Sequence, residues 1–114
     1  MSLQTSITTE FALRAIPFVV DSKLDGDALT IVMAGELDVA TVPLLVDAQR
    51  SVQGTYRAVR YELAGLGFMD SAGLRAVLAP ASSHLPISQI SIIHPTRAVR
   101  RLLELRDLQG MIAG

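Results

Sequence analysis

The stretch Ala28-Leu29-Thr30-Ile31-Val32-Met33-Ala34 is a β-branched run, suited to the pleated surface of a buried strand. Its neighbours limit what it can pair with. Phe18 to Leu24 is also strand-like, and Asp25-Gly26-Asp27 between the two runs supplies the Asp-Gly signal of a tight hairpin. The two strands are therefore expected to pair antiparallel. Gly35 is expected to end the second strand, and Glu36-Leu37-Asp38 leads toward Thr41, a reasonable helix N-cap. Pro43 is tolerated in a first turn, where the amide it lacks would have no partner. Leu44, Leu45, Ala48 and Val52 recur at helical spacing, which predicts an amphipathic helix stopping before Gly54. A helix between two strands makes the next strand, Ala58 to Leu63, a parallel neighbour.

Further along, Ala64-Gly65-Leu66-Gly67 reads as a flexible turn. Leu74, Ala76, Val77 and Leu78 mark a second helix. Pro80 should kink or end it, because proline removes one backbone bond and clashes with the carbonyl of residue 76. Ser82 to Pro86 reads as a loop and Gln89 to Ile93 as a fourth strand. His94-Pro95-Thr96 supplies a stop and a cap for a last helix with apolar Ala98, Val99, Leu102, Leu103 and Leu105. The expected fold is α/β: a small domain with a four-stranded mixed sheet and helices packed mainly on one face, in the order β-β-α-β-α-β-α. Residues 1–16 have no clean period and are set apart as an N-terminal extension, a mobile arm or a helical turn. Residues 17–114 form the domain.

At 114 residues the chain fits one core, burying roughly two thirds of the surface exposed when unfolded. Only five residues are aromatic (Phe11, Phe18, Tyr56, Tyr61, Phe68), so that core rests on aliphatic side chains and offers no stacking platform for single-stranded nucleic acid. The absence of cysteine excludes disulfides and thiolate catalysis. No apolar run approaches the roughly 20 residues of a membrane span, and the N-terminus lacks the order of a signal peptide. A cytoplasmic protein, without cofactor or metal and with no direct nucleic-acid or membrane-inserting role, is expected. The formal net charge of −1 is unevenly distributed: residues 71–114 carry five arginines against Glu104 and Asp107, a polarity that can guide a partner's approach.

The stretch with most chemical content is Gly67-Phe68-Met69-Asp70-Ser71-Ala72-Gly73-Leu74. A hydrolase elbow wants glycine two residues before and after its serine, and here Met69 stands at the first of those positions. His84 in a Pro-flanked loop and His94 at a strand end are poorly placed as bases. Glu36, Asp38 and Asp70 all lie at strand-to-helix junctions, but acid/base work also needs a cleft. The glycines lack the Lys and Ser/Thr of a phosphate loop. An enzyme is not expected. Two readings of Asp70-Ser71 stay open: a plain helix cap worth about 1 kcal/mol, or a site where phosphate would be favoured by the helix N-terminus and would repel a docked partner.

Gly35-Glu36-Leu37-Asp38, followed by Leu66 to Leu74 at this separation and by His94-Pro95-Thr96-Arg97 through Leu105, resembles the STAS family, and within it the bacterial anti-sigma factor antagonists. The similarity covers roughly residues 18–112. The resemblance implies a domain whose serine is phosphorylated by a partner that is both anti-sigma factor and kinase. The unmodified form binds that kinase and releases the sigma factor, and a serine phosphatase restores it. Carried over, the phosphorylated residue is Ser71, and Asp38, Asp70, Ser71 and Gly73 form the partner-binding set. The alternative is a non-enzymatic STAS subunit of a membrane transporter complex, such as a phospholipid ABC transporter, which carries a similar Asp-Ser-Ala-Gly run. The sequence departs from the family pattern at Ala72, where a second hydroxyl is common, at Glu62, where Asp is common, at Pro80, and at Arg106-Asp107, where a glycine often stands.

Overall fold

The computed structural model describes residues 18–52 and 56–113; the N-terminal extension expected over residues 1–16 lies outside them. Four strands form one sheet in the order β1 (Phe18–Asp25), β2 (Ala28–Leu37), β3 (Ala58–Met69), β4 (Ile90–Ile93). The first two pair antiparallel from Phe18 opposite Gly35 to Asp25 opposite Ala28, and β2–β3 and β3–β4 are parallel. The hairpin and both crossovers thus follow the expected order. After β4 the chain returns alongside it: Ile112 bridges Ile92, and the Ala113 amide donates to the Ile92 carbonyl at 2.9 Å. That contact covers part of a strand edge.

Two boundaries expected at glycines move, and Gln89, expected in the fourth strand, lies in the 3-10 turn before β4. Gly35 does not end β2; at φ 100 it bends the strand, which runs on to Leu37. Ala64-Gly65-Leu66-Gly67 is not a turn but the far half of β3. Along β2 the residues Val32, Ala34, Gly35, Glu36 and Leu37 face Glu62, Gly65, Leu66, Phe68 and Met69, so β3 carries an extra residue at two places. Each bulge lengthens the spacing of inward residues from two to three. Leu63, Leu66 and Met69 are consequently all buried, although no period-2 alternation links them.

The helices are α1 (Val42–Arg50), α2 (Ser71–Ser83) and α3 (Arg97–Leu105). Their apolar residues join Leu29, Ile31 and Met33 of β2 and Val59 and Tyr61 of β3 in one core. On α1 the inward stripe is Val42, Leu45 and Gln49, at steps of three and four, and Val52 in the turn that follows packs on the same core, whereas Leu44 is half exposed. A polar Gln49 therefore occupies a core position that hydrophobicity alone assigned to its neighbours.

Gln49 explains why Pro80 does not end α2. The Ala76 carbonyl, four residues before Pro80, has no proline N–H to accept, and Gln49 Nε2 donates to it at 2.9 Å. The same amide donates to Tyr61 Oη at 2.9 Å, and Tyr61 Oη donates to the Val77 carbonyl at 2.9 Å. Burial pushes the Tyr61 phenol well above its ordinary value, against a lesser lowering by the Gln49 bond, so it remains a donor. α2 then runs on to Ser83, where the Pro80 carbonyl accepts the His84 and Leu85 amides at 3.0 Å each. Gln49→Leu is expected to cost about 1–3 kcal/mol in urea unfolding, the penalty for stranding a buried carbonyl; an unchanged midpoint and slope would refute this role.

Candidate functional site

The carboxyl ends of the parallel strands β2 and β3 lie side by side, and each leads into a helix. At the end of β2, Asp38 Oδ1 accepts from the Ala40 and Thr41 amides at 3.0 and 3.1 Å. Thr41 holds the N-cap position of α1 but does not cap it with its side chain. Its buried hydroxyl turns back, accepting from the Asp38 amide and donating to the Glu36 carbonyl, both at 2.9 Å. Asp38 is thus fixed in a tight reciprocal turn, with its side chain half-buried at the rim.

At the end of β3, the Asp70 amide donates to the Leu37 carbonyl at 3.2 Å, which locks the two strand ends together. Asp70 in extended backbone is the N-cap of α2, its Oδ1 accepting from the Gly73 amide at 2.8 Å. Of the two open readings of Asp70-Ser71, the cap belongs to Asp70, and Ser71 is left exposed on the first turn. Gly73 is buried. A Cβ there would lie 2.7 Å from the Leu37 carbonyl oxygen and 3.0 Å from Met69 Cγ, so this glycine lets α2 approach β2 closely. Gly73→Ala should force α2 and β2 apart and cost about 1–3 kcal/mol, the usual penalty of overpacking. Thermal melting of the variant tests this, and an unaltered Tm would contradict the contact.

Arg106, noted in the sequence only as a departure, reaches this corner from the opposite side of the chain: its Nη2 donates to Ser71 Oγ at 2.7 Å. The end of α3 aims it. The Leu108 amide donates to the Leu103 carbonyl at 2.8 Å and the Asp107 amide to the Glu104 carbonyl at 3.1 Å, the paired bonds of a Schellman turn. Asp107 holds the left-handed position at φ 58 that glycine usually fills. Val39, Leu44, Phe68 and Leu105 are each between 44% and 75% exposed. They stand at the loop after β2, the start of α1, the end of β3 and the end of α3, the same elements that bring Asp38, Asp70, Ser71 and Arg106 to this end of the sheet.

Neither histidine reaches Ser71. His84 lies edge-to-face on Tyr56 with ring centroids 4.9 Å apart, and its Nδ1 meets Ser83 Oγ at 2.9 Å. His94, at φ 53, places Nδ1 2.6 Å from Glu62 Oε1. Partial burial alone would raise the Glu62 carboxyl, but bonds from His94 and the Ala64 amide, with the charge of His94, hold it below the ordinary value. Thr96 takes the N-cap position of α3, but its hydroxyl bonds the Leu66 carbonyl at 2.7 Å and pins α3 to the bulged part of β3. A carboxyl lowered on folding stabilises the protein above its unfolded pKa and loses that contribution as pH falls through the folded value. The stability gap between wild type and Glu62→Gln should therefore shrink between about pH 5 and 3. Denaturation series across that range check this, and a constant gap would contradict it.

Strands in this order, with helices over the sheet and a capped helix presenting an exposed serine beside two carboxylates, define a small α/β domain built to present a surface. The family model described as "Mlab, STAS domain" matches residues 20–113, and the chain belongs to the STAS family. No curated protein matches its sequence. Among solved structures, SpoIIAA, an anti-sigma factor antagonist, resembles it in the unphosphorylated form with a TM-score of 0.67 at 20% identity, over 83% of this chain and 86% of that one. The phosphorylated form, from Bacillus, gives 0.64 at 19% over 83% and 89%. An anti-sigma factor antagonist from Mycobacterium paratuberculosis gives 0.67 at 22% over 83% and 82%. The murine anion transporter Slc26a9 gives 0.62 at 9% over 95% of this chain and 23% of that one. The fold is SpoIIAA-like.

Proposed function

We propose that this STAS domain is an anti-sigma factor antagonist, a non-enzymatic cytoplasmic regulator whose binding to an anti-sigma factor kinase is switched by phosphorylation of Ser71. The observation that carries the reading is the division of labour at the start of α2. Asp70 supplies the cap through its bond with Gly73, and the exposed Ser71 hydroxyl is left without a capping duty. A phosphate can then be added without loss of the helix start. It adds about −1.5 to −2 charge beside Asp70, on a corner whose exposed apolar residues suit a docked partner. The unmodified form binds the kinase and frees the sigma factor, ATP-dependent modification of Ser71 releases the kinase, and a serine phosphatase resets the chain. Asp38, Asp70 and Ser71 contribute to the docking corner, and Gly73 shapes it from beneath. Relatives described as anti-sigma factor antagonists, one of them solved in a phosphorylated form, support this reading.

A second reading is a subunit of a membrane transporter complex, such as a phospholipid ABC transporter. It is favoured by the likeness to part of the Slc26a9 anion transporter. Among the described residues no helix is long and apolar enough to cross a membrane, so in that role the chain would join a separate membrane component.

Incubation with the anti-sigma factor kinase and ATP should label Ser71, and labelling elsewhere, or none, would reject the switch. Ser71→Asp should keep its melting temperature within a few degrees and bind the kinase roughly tenfold or more weakly, as like charge at an interface demands. Ser71→Ala should retain binding and resist modification. Equal affinities for the two variants, by calorimetry, would count against the mechanism.

A further inference from the structure

Arg106 and Ser71 are 35 residues apart and both exposed, yet Nη2 and Oγ meet at 2.7 Å. Among the described residues the one ion pair within 4 Å is His94 with Glu62. Arg106 therefore has no carboxylate partner there, although Asp70 is the residue next to Ser71. A guanidinium offers five donors in a planar fork suited to two oxygens at once. A neutral hydroxyl engages one of them. The Schellman turn at Arg106-Asp107 fixes the direction from which the fork arrives.

From this contact we propose, resting on the reading of Ser71 as the phosphorylated residue, that Arg106 is the chain's own receptor for the Ser71 phosphate. In the modification step the Oγ–phosphorus bond forms as the bond from the γ-phosphorus of ATP to its bridging oxygen breaks. ADP leaves with that electron pair, and the hydroxyl proton passes to a base on the kinase or to water. Arg106, already on Oγ, then turns its remaining donors to the new phosphate oxygens, exchanging one neutral bond for charge-assisted ones. The phosphate ties the end of α3 to the start of α2. Two things leave the docking corner together: a neutral serine hydroxyl and a guanidinium that has no carboxylate partner among the described residues. Release of the partner thus has a structural component besides charge repulsion. Arg75 is the competing cation, four residues after Ser71 on α2 and exposed, a spacing at which helical side chains are neighbours. The contact actually made is with Arg106.

The test uses the full chain with phosphoserine incorporated at position 71 during translation, followed by phosphorus NMR titration. A phosphoserine titrates with a second pKa of about 6. Pairing with Arg106 should place it about 0.5 lower, the scale of an exposed charge pair. Arg106→Gln should return it toward the ordinary value, and Arg106→Lys should lie between, keeping the charge without the fork. Arg75→Gln should leave it unchanged. Equal titration in wild type and Arg106→Gln, or a difference removed by Arg75→Gln instead, would overturn the assignment. Because the phosphate is built in, failure of a kinase to modify Ser71 would count against the switch and not against this contact.

Discussion

One side-chain amide holds the two crossover helices and the central strand in a common frame. Gln49 of α1 divides its two hydrogens between the phenol of Tyr61 on β3 and the Ala76 carbonyl of α2. Tyr61 completes the connection by donating to Val77. These groups are buried, where an unpaired carbonyl or amide is costly and a paired one rigidifies. The arrangement permits a proline in the third turn of α2, and it ties that helix to the element before and the element beneath it. The position of Ser71 depends on where α2 lies, so a polar contact at the middle of the helix bears on the site.

The near end is set by the strands. Two bulges give β3 the extra length that carries Met69 level with Leu37, and from there the Asp70 amide reaches the Leu37 carbonyl. Gly73 permits the approach that follows. Sites in sheets of this kind lie beyond the carboxyl ends of parallel strands, where the chain turns into helices. Here that edge gathers an Asp that organises a loop, an Asp that caps a helix, and a Ser free of either task.

Much of this was legible in the sequence because the hairpin, the crossovers and the last helix each have a local signal: Asp25-Gly26, alternating or β-branched runs, and helical spacing. The element order followed from those. Ser71 and Asp70 could be singled out because their neighbours form a short ordered pattern. What the sequence concealed was non-local. The second half of β3 has three-residue spacing and two glycines, the local features of a turn, and only its pairing with β2 makes it a strand. Gln49 reads as a surface residue until Pro80 and Tyr61 are placed next to it. Thr41 and Thr96 look like side-chain caps, but each hydroxyl is spent on a strand carbonyl. Arg106 appeared only as a missing glycine, since nothing local connects residue 106 to residue 71.

The Schellman turn at the end of α3 makes the length of that helix a specified quantity. Each helical residue turns the chain by about 100° and advances it about 1.5 Å. Inserting or removing a single residue between Thr96, which is anchored to β3, and Arg106 would therefore rotate the guanidinium to another side of the helix, even with every core contact repaired. Substitutions along the outer face of α3 leave that angle alone. The spacing of ten residues between an anchored threonine and a directed arginine is thus a ruler, and its graduations are more tightly constrained than the residues that mark them.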